Sequence, residues 1–269
     1  YRVAVAEECK EVLSPMRVLD CLAMDFDDRA SHPDERGLSR EDQKFLEFVE
    51  GNVSFEEGHY VIPLPFRRQD EQLPSNRSQA LSRLLWQRKK MLRDKSYFTD
   101  YVSFMSGLVE KGYCEPVPQQ TPADGKVWYL PHHGVYHPQK QKLRIVFDCS
   151  AKCNGVCLND ALLQGPNLTN NLFDVLSKFR FEPITFVADL EAMFYQVRVP
   201  VHDRSYLRFL WFANNDLQGS IIELQMTVHI FGAVSSPSIA NFVLKKIASA
   251  TTDSQVSNVI AHNFYVDDC

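Results

Sequence analysis

The chain has 269 residues, of which 45% are hydrophobic and 23% charged. That is enough apolar material for a sizeable core, and it excludes a disordered chain. Its seven cysteines are an odd number in a core-rich sequence, which points to reduced thiols rather than a disulfide framework. No apolar run is long enough to span a bilayer, and no basic-then-apolar leader follows Tyr1. The sequence therefore reads as an internal, soluble stretch of a longer polypeptide with no membrane partner.

The net charge of −5 is unevenly spread. Residues 1–66 carry a net −8, residues 67–144 a net +7 and residues 145–269 a net −4. A phosphate backbone responds to such a local field rather than to the average. Part of the positive charge lies in Arg88, Lys89, Lys90 and Arg93. For that segment alone, a solvated helix face is the simpler reading.

Residues 1–75 read as a partly ordered approach segment. The acidic cluster Asp25, Asp27 and Asp28 lacks the spacing and the glycine of an EF-hand loop. Pro63, Pro65 and Pro74 punctuate the stretch before the next element. From about Asn76 to Gly112, apolar residues recur every three or four positions, which predicts one long helix or two with a break near Asp94. Val127–Val135 and Leu143–Phe147 read as strands. Ile184–Ala188 is an apolar run ending in Asp189, as a buried strand would. Tyr206–Phe212 and Ile221–Met226 flank Asn214-Asn215-Asp216 and predict a hairpin. Ser236–Ala250 reads as a helix with Pro237 in its first turn. Asn263–Val266 reads as a short strand leading into Asp267-Asp268. Strands and helices mix without strict alternation, so the expected class is α+β.

Two carboxylate positions carry the chemistry. Asp189 and the pair Asp267-Asp268 each follow an apolar run. A carboxylate at the end of a buried strand is costly unless it is paired or binds a cation. Three brought together, with the Asp189 and Asp267 carboxylates meeting on one side of a single sheet, would form an oxygen-rich site suited to Mg²⁺, and two ions so held can run an in-line phosphoryl-type displacement. Cys149, Cys153 and Cys157, with His132, His133 and His137 nearby, lack the regular spacing of a zinc site.

Four motifs carry a family resemblance, in the family's order. Tyr265-Val266-Asp267-Asp268 is similar to the YxDD motif of reverse transcriptases. Phe186–Phe194 resembles their first palm motif, with an aromatic residue five positions after the metal-binding Asp. Phe231–Pro237 resembles the opening of the next palm helix. Lys142–Asp148 resembles the fingers strand that carries a triphosphate-binding Arg. The flanks Leu130–Val135, Arg144–Lys152, Leu158-Asn159-Asp160, Pro63–Phe66, Arg77–Leu81 and Gly165–Leu168 resemble the BEL/Pao class of LTR retrotransposons. The likeness runs from about Asp25 to the last residue.

The resemblance implies a right-hand polymerase: the approach segment 1–75, a helical and β fingers region 76–180, and a partial palm 181–269. The palm sheet would be mixed or antiparallel and crossed by helices, with the thumb missing and the sequence cut just after Tyr265-Val266-Asp267-Asp268. The implied activity is RNA-directed DNA synthesis, a nucleotidyl transfer that extends a primer on an RNA or DNA template with dNTPs. The implied cofactors are two Mg²⁺ ions, for which Mn²⁺ can substitute. Asp189, Asp267 and Asp268 would be catalytic metal ligands. Lys142 and Arg144 would hold the triphosphate, with Lys140 a weaker contributor. Phe194 would be the gate under the sugar, Phe231 and Gly232 would line the nucleotide pocket, and Tyr265 would sit near the primer end. The implied partners are the rest of a Pol polyprotein, with protease upstream and RNase H and integrase downstream, in a cytoplasmic retroelement particle. This stretch alone would be inactive or weak. The alternative is a truncated, non-catalytic retroelement remnant that binds nucleic acid or another protein.

Overall fold

The computed structural model describes residues 37–68, 72–118, 126–137, 142–181 and 183–269. Arg40–Cys269 form one compact unit, and residues 1–39 a separate one of which only Gly37–Ser39 are described. The acidic cluster Asp25, Asp27 and Asp28, like Lys140, lies outside the described residues.

The chain enters this unit through helix α1 (Arg40–Asn52) and a hairpin of β1 (Ser54–Glu56) and β2 (His59–Val61). Phe45 and Val49, one turn apart on α1, are fully buried against Ile62, Leu163, Val197 and Ile239. The predicted helical stretch is two helices, α2 (Arg77–Arg93) and α3 (Lys95–Glu110). The break falls at Asp94, whose carboxylate accepts from the Tyr97 N–H at 3.0 Å and so caps α3. Ala80, Leu84 and Met91 of α2 and Tyr97, Tyr101, Met105 and Leu108 of α3 enter the main core.

A three-stranded antiparallel sheet in the order β3 (Cys114–Pro116), β7 (Ile221–Met226), β6 (Arg208–Phe212) forms the floor of that core. Every residue of β6 is buried, and Trp211 stacks on Tyr101 at 5.2 Å and 9°. β6 and β7 make the predicted hairpin, with Asn214 and Asn215 at positive φ in the turn. A second antiparallel pair joins β4 (His132–Tyr136) to β5 (Leu143–Phe147). Val127–Pro131 is not part of the strand predicted there. It runs as irregular chain beside residues 205–208, with Leu130 N–H donating to the Arg208 carbonyl at 2.6 Å.

Helix α4 (Leu158–Ala161), helix α5 (Leu172–Phe179), helix α6 (Ser236–Ala250) and helix α7 (Ser254–His262) complete the unit. α6 matches its predicted bounds, with Pro at its first turn and Ser236, Ser238 and Ala240 on the inner face, small enough for close packing. The small antiparallel sheets and helices make the class α+β, as expected.

Two predicted strands are corrected. Ile184–Ala188 is neither a strand nor buried: Ile184 is 87% and Phe186 75% exposed, and no described element covers them. Apolar content alone cannot distinguish a buried strand from an apolar stretch lying at the surface. Asn263–Val266 is a turn rather than a strand, because the chain reverses at Val266.

Candidate functional site: a paired-aspartate turn beside an aromatic floor

Tyr265 and Asp268 exchange both backbone hydrogen bonds, at 2.8 and 3.2 Å, closing a two-residue turn with Val266 and Asp267 at its tip. Val266 sits at φ 59°. That left-handed backbone is strained for a β-branched residue, and strain of this kind is worth roughly 1–3 kcal/mol. A positive φ at the first central position alone is the pattern of a type II′ hairpin turn, which normally takes Gly there.

The turn pairs with the segment around Asp189. Ala188 and Cys269 exchange hydrogen bonds at 2.8 and 3.1 Å, and Leu190 N–H donates to the Asp267 carbonyl at 2.9 Å. Between these bonds, Asp189 and Asp268 are direct antiparallel partners. Such a non-hydrogen-bonded pair brings the Cα atoms to about 4.5 Å and points both side chains to one face. Asp267 instead meets Leu190, on the alternate position of the ribbon. Asp189 and Asp268 are exposed and Asp267 is half-buried. Among the described residues, no three His, Cys, Asp or Glu side chains lie close enough together to hold a metal ion.

The turn rests on an aromatic floor. Val266 and Leu190 pack on a small cluster of Met193, Phe194 and Ala240. Phe194 lies in a 3-10 turn, Met193–Gln196, entered through Ala192 at φ 51°. It is 8% exposed, and its ring lies 4.3 Å from that of Phe231, which is half exposed. Gly232 has φ 107°, and a Cβ there would stand 2.4 Å from the Phe147 carbonyl oxygen. Only Gly allows both that backbone and that approach. Phe231-Gly232 is thereby laid against the end of β5.

β5 alternates buried and exposed, so Leu143, Ile145 and Phe147 face the core while Arg144 faces solvent opposite Val135. Arg144 has no ion-pair partner among the described residues. Exposed Lys142 is near enough to Glu191 to help draw its carboxyl below the usual range, after the larger effect of Lys111 at 2.6 Å. Two lysines thus face the segment just past Asp189.

Two asparagines to which the sequence assigns no role hold these parts together. Asn159 Nδ2 donates to the Gly232 carbonyl at 3.0 Å and to Ser150 Oγ at 2.9 Å, and its Oδ1 accepts from Val234 N–H at 3.0 Å. Asn170 Nδ2 donates to the carbonyls of Ala261 and Phe264 at 3.0 and 2.9 Å, tying down the approach to the turn. Asn159 lies in the flanking motif Leu158-Asn159-Asp160 and Asn170 in none, and from sequence a half-buried Asn with a full set of partners cannot be told from a surface one.

His132 belongs to the core rather than to any cluster with the cysteines. Its Nε2 faces the Leu210 carbonyl at 2.9 Å and therefore carries the proton, so Nδ1 accepts from the Tyr101 hydroxyl at 2.5 Å. Two surface pockets, of 340 and 320 Å³, open beside Arg198 and Arg204, away from the paired aspartates. Those arginines are ion-paired to Glu57 and Glu115.

No protein-family model matches the chain, and no curated protein matches it.

Proposed function

We propose that this chain is the fingers-and-palm portion of a reverse transcriptase of the BEL/Pao type, extending a primer with dNTPs by nucleotidyl transfer. The observation that carries the reading is the pairing of Asp189 with Asp268 across a strained turn, 79 positions apart in sequence. Strained backbone persists where the surroundings over-determine it, and such places cluster at functional sites.

The donor set is all carboxylate, the hard-oxygen chemistry that Mg²⁺ or Mn²⁺ takes. Asp189 and Asp268, on one face of the ribbon, would hold the ion, and Asp267 would join them as third ligand only by turning in from the alternate position. When bound, Mg²⁺ supplies activation of a primer 3′-hydroxyl and neutralisation of the leaving pyrophosphate. Arg144 offers a planar fork for the triphosphate, and Lys142 a point charge. Phe194, braced by Phe231, would exclude a 2′-hydroxyl by its volume. Tyr265 would sit at the primer end. The rest of a Pol polyprotein, a primed RNA or DNA template and a cytoplasmic particle belong to the same proposal.

Primer extension with Mg²⁺, measured on a longer polypeptide that includes the downstream Pol sequence, tests it. Asp189→Asn should abolish extension with far-UV circular dichroism unchanged, since the exposed carboxylate supports none of the backbone pairing. Extension by the variant near the wild-type rate would overturn the assignment of Asp189 to the metal, and no extension by the wild-type protein would favour the non-catalytic nucleic-acid-binding role.

A further inference from the structure

Helix α2 presents a second surface that the polymerase reading does not use. Its 17 residues include six cations, Arg77, Arg83, Arg88, Lys89, Lys90 and Arg93, and no acid. Three of these are engaged: Arg77 with Glu223, Arg88 with Gln218, and Lys90 over the Tyr97 ring at 3.8 Å. Arg83, Lys89 and Arg93 are exposed and have no ion-pair partner among the described residues. With Ala80, Leu84, Gln87 and Met91 buried, the crest opposite the core carries Ser82, Trp86, Lys89 and Arg93, with Arg83 alongside. Trp86 is 63% exposed, whereas Trp128 and Trp211 are 0% and 3% exposed.

A large aromatic ring held open to solvent among unneutralised cations has the two parts that bind a single strand of nucleic acid. The ring stacks on a base, and the cations track the phosphates. We propose that the Trp86 face of α2 binds single-stranded nucleic acid, as a stacking platform flanked by Arg83, Lys89 and Arg93. A membrane-surface helix would need a continuous apolar face turned outward. The apolar face of α2 is already in the core, and Leu85 and Leu92 lie to one side of a crest on which cations alternate with the ring. The proposal stands on α2 alone and does not rest on the polymerase reading.

The test is binding of a fluorescently labelled 20-nucleotide oligothymidylate or oligouridylate to the whole chain, in EDTA and without nucleotides. Because Trp86 is the exposed member of the three tryptophans, quenching of intrinsic fluorescence should accompany binding. Trp86→Ala should weaken binding about fivefold or more, and Trp86→Phe should retain most of the affinity. The triple variant Arg83→Gln, Lys89→Gln, Arg93→Gln should flatten the slope of log affinity against log salt by about 2, at roughly 0.7 per phosphate contact. Wild-type affinity in Trp86→Ala, or binding without quenching, overturns the proposal. So does capture by phosphatidylserine vesicles without oligonucleotide binding. Binding measured in EDTA needs no metal at the paired aspartates, which keeps this outcome separate from that of primer extension.

Discussion

The Asn159 side-chain amide reaches the carbonyl of Gly232 across 73 residues of sequence, at 3.0 Å, while its oxygen accepts from Val234 two residues on. One side chain therefore fixes the chain on both sides of Ala233, immediately after Phe231.

Asn159→Ala removes three side-chain hydrogen bonds and leaves the half-buried Val234 N–H without its partner. At about 1 kcal/mol for each bond left unmade, partly offset by water, the loss should be roughly 1–2 kcal/mol. Thermal unfolding should fall by several degrees. If the loop lines the nucleotide pocket, the dNTP KM should rise more than kcat falls. A KM that stays fixed as the melting temperature drops would leave Asn159 a purely structural clamp.

Phe194→Val separates gate from core. The residue is 8% exposed and touches Phe231, Met193 and Ala240, so truncation should cost about 1–3 kcal/mol whatever its role. A gate adds a second effect: rNTP incorporation should rise relative to dNTP by about tenfold or more. Measuring that ratio by single-nucleotide extension decides the matter, because packing alone does not change sugar preference.

Val266→Gly trades strain for contact. Gly accepts φ 59° freely, yet it gives up the packing on Phe194 and Ala240 and loosens the turn. The two stability terms oppose, so the unfolding free energy should change by less than about 1 kcal/mol. Primer extension should drop severalfold, because the Asp189–Asp268 pairing loses its fixed tip. Unchanged extension would show that the turn needs no rigid geometry.

His132 and His229 make stability depend on acidity. Burial lowers each to about 4 from an ordinary 6.5, with His229 Nε2 facing the Ile62 carbonyl and its Nδ1 buried without a partner. In the unfolded chain both bind a proton near pH 6.5, and in the folded chain neither does until about pH 4. Their contribution is therefore complete above about pH 6.5 and is lost as pH falls towards 4. The slope should be on the order of 1.4 kcal/mol per histidine per pH unit. Urea midpoints at pH 7.5 and pH 5 should differ, and His229→Gln should reduce the difference. Equal reduction in a variant of an exposed histidine such as His262 would refute the assignment.

Much of this architecture was legible in the sequence where pattern and capping agree. The α2–α3 break at Asp94, the β6–β7 hairpin and α6 each follow from periodicity plus a cap, turn or proline signal. The pairing partner of Asp189 was less legible: expectation put Asp267 beside it, and the register selects Asp268, because a two-residue turn alternates which aspartate faces the partner strand. α5 and α7 escaped notice since they bury no residue, so no core-facing stripe marks them. Ile184–Ala188 misled for the converse reason. Apolarity signals burial only where something covers the segment.

That uncovered segment bears on how the protein behaves as a solute. Phe181, Ile184, Phe186 and Val187 are each more than two-thirds exposed, and Phe173 and Leu176 on α5 are at least half exposed. Contiguous apolar surface of this kind is what drives self-association and dye binding in otherwise folded proteins. The chain thus carries, alongside a well-packed interior, a region whose hydration is unfavourable at any dilution. Its colloidal stability will be set there, by salt type and detergent, rather than by the strength of the core.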